Sequence, residues 1–206
     1  PTPKREKLPK DAAVFTKAEF RGEVLFWPQE AGPDEKLAAA HRKFELNPMG
    51  HIADYCRHIP YKSDKKTFVA KTGRDSFEVF QYTFKLPWQE PDENGKIPEH
   101  VVMWDYNVGL VRITPFFKCF KYPKTMPAKC ISQNPGLSDL VHSITGGSIV
   151  AQGYWVPYKA AKAIAATFCY EIRHALTPVF GPDFVNQCIP PGSPNFQNFK
   201  INPAIV

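Results

Sequence analysis

The densest apolar patterning falls between residues 76 and 113. "SFEVFQYTFKLP" (76–87) is rich in β-branched and aromatic residues, and that content predicts a strand. "PDENGK" (91–96) is a turn cluster holding Asn94-Gly95. "HVVMW" (100–104) predicts the returning strand, so the two form a hairpin with a long loop. "DYNVG" (105–109) predicts a second turn and "LVRI" (110–113) a third strand. Upstream, "GEVLFWP" (22–28) reads as a strand stopped by Pro28. "PDEKLAAAHRKFELN" (33–47) reads as a short helix, acidic at its start and basic later, as the macrodipole favours.

The period changes at Thr114. In "ITPFFKCFKY" (113–122) Thr114 is a good N-cap and Pro115 a good first helical residue. Phe116, Phe117 and Phe120 form an apolar stripe at helical spacing, with Lys118 and Lys121 together off it. "KTMPAKCISQN" (124–134) repeats the start signal, Thr125 as cap and Pro127 in the first turn. Two short helices joined by a tight turn make a helix-turn-helix shape. "GLSDLVHSI" (136–144) then leads to Gly146-Gly147, which can reverse the chain. "SIVAQ" (148–152) is expected to return as an edge strand into Gly153, giving a wing hairpin. After Pro157 one long helix is expected. Its apolar face is Ala161, Ile164 or Ala165, Phe168, Ile172 and Leu176, and Lys159, Lys162 and Arg173 lie opposite. The aromatic tail (180–199) is expected to pack back on the body.

This order divides the chain into a flexible basic arm (1–19, with Lys4, Arg5, Lys7 and Lys10), a strand and helix extension (20–100), a core (101–180) and a C-terminal extension (181–206). The fold class expected is α+β: a winged helix-turn-helix with a small antiparallel sheet and extra terminal elements.

Composition narrows the function. Proline, 21 of 206 residues, stands at about twice ordinary usage, which favours short elements and ordered loops. The five cysteines are odd in number and widely spaced, neither a disulfide framework nor a zinc site. They read as reduced, buried residues of an intracellular protein. No apolar run approaches a membrane span, and no apolar segment follows "PTPKREKLPK", so no signal peptide is expected. His51 and His58, seven apart, do not form a metal pair. No nucleophile–base order stands out, and Gly146-Gly147 lacks the further glycine and lysine of a phosphate-binding loop. The expectation is therefore no enzyme, no cofactor, no metal and no small-molecule substrate. The net charge is +6, and residues 101–206 hold 9 Lys/Arg against 4 Asp/Glu, so a polyanion is expected to bind there.

The segment from Val101 to about Leu176 resembles the APSES-type DNA-binding domain of fungal transcription regulators, a relative of the viral KilA-N domain. "GLVRITPFFK", Gly146-Gly147, Gln152-Gly153-x-Trp155-Val156-Pro157 and the alanine-rich segment after them carry the resemblance. It implies a nuclear, sequence-specific regulator with double-stranded DNA and other nuclear proteins as partners. Lys118, Lys121, Lys124 and Lys129 would meet phosphates. Ser132, Gln133 and Asn134 would face base edges. Gly146, Gly147 and Ser148 would form the wing tip, Gln152 would lie near the minor groove, and Trp155 would be core. The chain departs from the family in having no Lys or Arg between Lys129 and Lys159. Its apolar wing, Ser148-Ile149-Val150-Ala151, could insert beside bases. It could equally dock a protein, as in the fungal bouquet-formation proteins of the nuclear envelope, which share the fold and bind peptides.

Overall fold

All nine residues of Ser76–Phe84 (β2) are buried. A strand hidden along its whole length belongs to a sheet covered on both faces, and the alternation of its side chains shows how. Phe80, Tyr82 and Phe84 join one core cluster with the helices. Phe77 and Val79 join a second cluster on the opposite face. The computed structural model describes residues 12–60, 68–69 and 72–206. Around β2 stand β1 (Arg57–Pro60), β3 (His100–Asp105), β4 (Leu110–Arg112), β5 (His142–Ile144) and β6 (Gly153–Pro157). They form one six-stranded sheet in the order β1-β2-β3-β4-β6-β5, with every neighbouring pair antiparallel.

The helices are α1 (Glu35–Lys43), α2 (Thr114–Lys118), α3 (Met126–Ser132), α4 (Tyr158–Phe168), α5 (Thr177–Phe180) and α6 (Phe184–Gln187). The start of α1 is fixed by Asp34, whose carboxylate accepts from the Leu37 amide at 3.1 Å. The architecture is thus α+β with an antiparallel sheet, as the sequence predicts.

Four local expectations are corrected. "GEVLFWP" is not a strand. The Leu25 and Phe26 amides both donate to the Tyr106 carbonyl, at 2.8 and 3.0 Å, instead of entering a ladder. The indole of Trp104 donates to the Phe26 carbonyl at 2.9 Å. The segment is strapped over the aromatic ends of β2 and β3, and tertiary partners replace sheet pairing.

Thr114 is not a cap either. Its hydroxyl accepts from the Tyr154 amide at 3.0 Å, so a bond to β6 takes the oxygen that would have capped α2. Thr125, at the start of α3, likewise makes no side-chain cap bond.

"SIVAQ" is not an edge strand: Ile149–Ala151 is a 3₁₀ turn between β5 and β6. The hairpin itself exists, with Ile144 opposite Gly153.

The long helix is interrupted. α4 ends at Phe168, and a 3₁₀ stretch, Tyr170–Leu176, follows before α5. The C-terminal tail causes the break. The Ile189 amide donates to the Ala166 carbonyl at 2.8 Å and the Gln197 amide to the Thr167 carbonyl at 2.7 Å. Those carbonyls are the ones a continuing helix would have used. The apolar face was nonetheless read correctly, since Ala161, Ile164, Ala165, Phe168, Ile172 and Leu176 are all buried.

The tail packs back as expected. Phe199 is buried, 5.3 Å between ring centroids from Phe168 and 5.6 Å from Tyr122. All five cysteines are free and buried. The basic run Lys4 to Lys10 lies outside the described residues. From Val14 onward the arm has partners: the Val14 carbonyl accepts from the Gln81 side chain at 2.5 Å, and the Cys56 thiol donates to the Ala18 carbonyl at 3.4 Å.

Candidate nucleic-acid interface

The segment expected as a helix-turn-helix folds as the short helices α2 and α3. Phe116 and Phe117 anchor α2 in the core, and Cys130 and Ile131 anchor α3. Lys118, Lys121, Lys124 and Lys129 lie on the solvent side and are exposed. None of the four forms an ion pair among the described residues. Past the end of α2, Lys121 sits in the left-handed region, φ 58°, in the turn toward α3.

The three polar residues at the end of α3 separate. Ser132 is exposed, and its hydroxyl donates back to the Lys129 carbonyl at 2.8 Å. Gln133 is half-buried. Asn134 is buried, at 4% exposure. Its amide nitrogen donates to the carbonyls of Cys130 and Phe199, at 3.0 and 2.9 Å. Its oxygen accepts from the Ile201 amide at 2.9 Å. The expectation that Asn134 faces a base edge is therefore corrected: its side chain ties α3 to the C-terminal tail. We expect Asn134→Ala to lower folding stability by about 2 kcal/mol, because it leaves buried backbone groups unpaired. Chemical denaturation measures this. Unchanged stability with impaired ligand binding would return Asn134 to the surface.

In the wing, Gly146 and Gly147 are exposed, and a Cβ at either would meet open space. Only Gly147, at φ +76°, uses its freedom for the turn. The Ser148 hydroxyl accepts from the Arg57 guanidinium at 3.4 Å, so the tip is linked to β1. Ile149 is 42% exposed while Val150 and Ala151 are buried. Those two pack with Phe77, Met103, Leu110 and Trp155 on the second face of the sheet. The run without charge is thus explained: the turn folds back as a lid on the sheet, and two of its three apolar side chains are core.

Trp155 holds that lid. It is fully buried, stacks on Phe77 at 4.4 Å and donates from its indole to the Ala151 carbonyl at 2.8 Å. It is core, as expected. Gln152 is half-buried. Its carbonyl accepts from Arg112 Nε at 2.8 Å, and no hydrogen bond occupies its side-chain amide among the described residues.

Two residues of this region were missed. Arg112 is only 6% exposed although it sits in the middle of "LVRI". Burial alone pushes its pKa down to about 10. His100 is 9% exposed. Burial first, and the Lys118 charge second, push its pKa down to about 4, so the ring is neutral near pH 7. A lone arginine inside an apolar strand was the available signal, since such a charge requires a reason. Nothing in the sequence marked His100. Among the described residues no three His, Cys, Asp or Glu side chains gather to hold a metal ion. No helix among them is long and apolar enough to cross a membrane.

Over 72 residues the chain is 33% identical to the transcriptional repressor XBP1 of Saccharomyces cerevisiae. That stretch is 35% of this chain and 11% of the repressor, so the chain spans a small part of that relative's length. No family model matches the chain. No solved structure matches it.

Proposed function

We propose that this protein is the DNA-binding part of a nuclear transcription regulator of the APSES/KilA-N kind, acting on double-stranded DNA in a sequence-specific way. In this reading α3 enters the major groove, and the Gly146-Gly147 wing with Gln152 lies on the minor groove or the backbone. The observation that carries it is the set of four exposed lysines on the α2–α3 segment that have no ion-pair partner among the described residues. Such cations release counterions when they meet phosphates, and that term dominates duplex affinity. The similarity to a transcriptional repressor supports the same reading. Ser132, Gln133 and Gln152 remain as candidates for base edges. The protein-docking alternative drew on the apolar wing. With Val150 and Ala151 in the core, Ile149 is the wing's one exposed large apolar side chain.

Selection of binding sites from random duplexes by the purified protein should enrich one motif. On that motif, Lys121→Ala and Lys124→Ala should each reduce the log–log salt slope by about 1. Gln152→Ala should cost about 1–3 kcal/mol of affinity if it reads a base, and leave thermal stability nearly unchanged. Absence of any duplex binding at low salt would overturn the DNA reading.

A further inference from the structure

At the foot of the wing, between β3, β4, α2 and the 3₁₀ turn, lies a cavity of about 120 Å³. Its floor contains His100, Val101 and Arg112, all buried, and its rim contains Glu99, Lys118 and Ile149, all exposed. We propose that this cavity is an oxyanion site that takes a phosphate group, held by Arg112 and Lys118 with His100 beside it.

The argument starts from Arg112. A buried cation is costly unless an anion accompanies it. The molecule observes this rule elsewhere: Arg74 meets the fully buried Asp105 at 2.7 Å. Arg112 has no carboxylate among the described residues. Its Nε and Nη1 donate to the carbonyls of Gln152 and Val101, at 2.8 and 3.2 Å. Those bonds aim the guanidinium and leave Nη2 for another acceptor. A guanidinium held by neutral carbonyls keeps its full charge for that acceptor.

The second observation is His100. Its Nε2 is buried and has no hydrogen-bond partner among the described residues. Lys118 supplies a further cation at the rim, with no ion pair among the described residues. Two cations, Arg112 and Lys118, and one carboxylate, Glu99, line the cavity together with His100, so its local balance is positive. The volume is enough for a tetrahedral oxyanion. The group could be a free phosphate ion or a phosphate of a DNA backbone. The second source rests on the DNA reading above; the cavity itself does not. A backbone phosphate here would seat the wing, because Arg112 already holds the Gln152 carbonyl.

The test is a titration of the purified protein with inorganic phosphate at low ionic strength, followed by NMR of the His100 ring and the Arg112 Nε–H. Saturable shifts with Kd on the order of 1 mM are expected, a modest affinity for a small ion. Lys118→Gln should weaken binding several-fold, and Glu99→Gln should tighten it several-fold. Both positions are exposed, so the fold is not at stake. No saturable shift in wild type or in Glu99→Gln would overturn the proposal, as would equal affinities in all three proteins. A second arm adds the selected duplex. Displacement of phosphate by the duplex assigns the site to the DNA backbone. Duplex bound with phosphate still in place assigns it to the free ion. If no duplex binds, the DNA reading fails while the phosphate titration still judges the cavity.

Discussion

Val150→Lys should destabilise the fold by about 4 kcal/mol or more, whereas Ile149→Lys, one residue away, should change stability by no more than about 0.5 kcal/mol. Val150 is 2% exposed and packed against the second face of the sheet. A lysine there would bury an unpaired ammonium or drag the turn off the sheet. Ile149 is 42% exposed at the same turn. Chemical denaturation of both variants measures the contrast. The folded Ile149→Lys protein then reports on function. A lysine added beside phosphates should raise non-specific duplex affinity and steepen the salt dependence by about one unit of log–log slope. Unchanged duplex binding in Ile149→Lys would place this wing away from DNA. Equal stabilities of the two variants would contradict the burial of Val150.

The contrast also shows where the sequence was legible. A 3₁₀ turn, not the edge strand expected there, turns Val150 inward and leaves Ile149 outward. The strands from 76 to 113 were readable because β-branched and aromatic content is a local signal, and the turns between them carry glycine. The two short helices α2 and α3 were readable from two Thr and Pro start signals, although neither threonine caps. Thr114 was taken by β6, across a separation of forty residues, and no local rule could report that. The end of α4 was hidden for the same reason. Its carbonyls are claimed by Ile189 and Gln197, so the break belongs to the tail and not to the helix sequence. Among the site residues, Lys118 and Lys121 were legible as charges off an apolar stripe. Asn134 was not, because a polar residue at a helix end looks alike whether it faces solvent or a returning tail.

Gly153→Ala should be the most damaging small substitution in the region, at about 3 kcal/mol or more. Gly153 sits at φ +128°, which an L side chain rarely adopts. A Cβ there would also collide with the Thr114 side chain, lying 2.9 Å from its Cβ. At Gly147, φ +76°, a Cβ meets open space, so Gly147→Ala carries the backbone strain alone, about 1–2 kcal/mol. The difference is the cost of contact between β6 and the first residue of α2. The Gln-Gly-x-Trp segment thus has a mechanical role: the glycine lets β6 press against Thr114, Thr114 accepts from the Tyr154 amide, and Trp155 pins the wing turn. α2 and the turn between β5 and β6 are held in one frame by that contact. Thr114→Gly should therefore relieve part of the Gly153→Ala defect, leaving the φ strain behind. A double-mutant cycle by denaturation should give a coupling of at least about 1 kcal/mol. Additivity within about 0.3–0.5 kcal/mol would mean that Gly153 is required for its backbone angle only, and that the wing and helices are registered by something else.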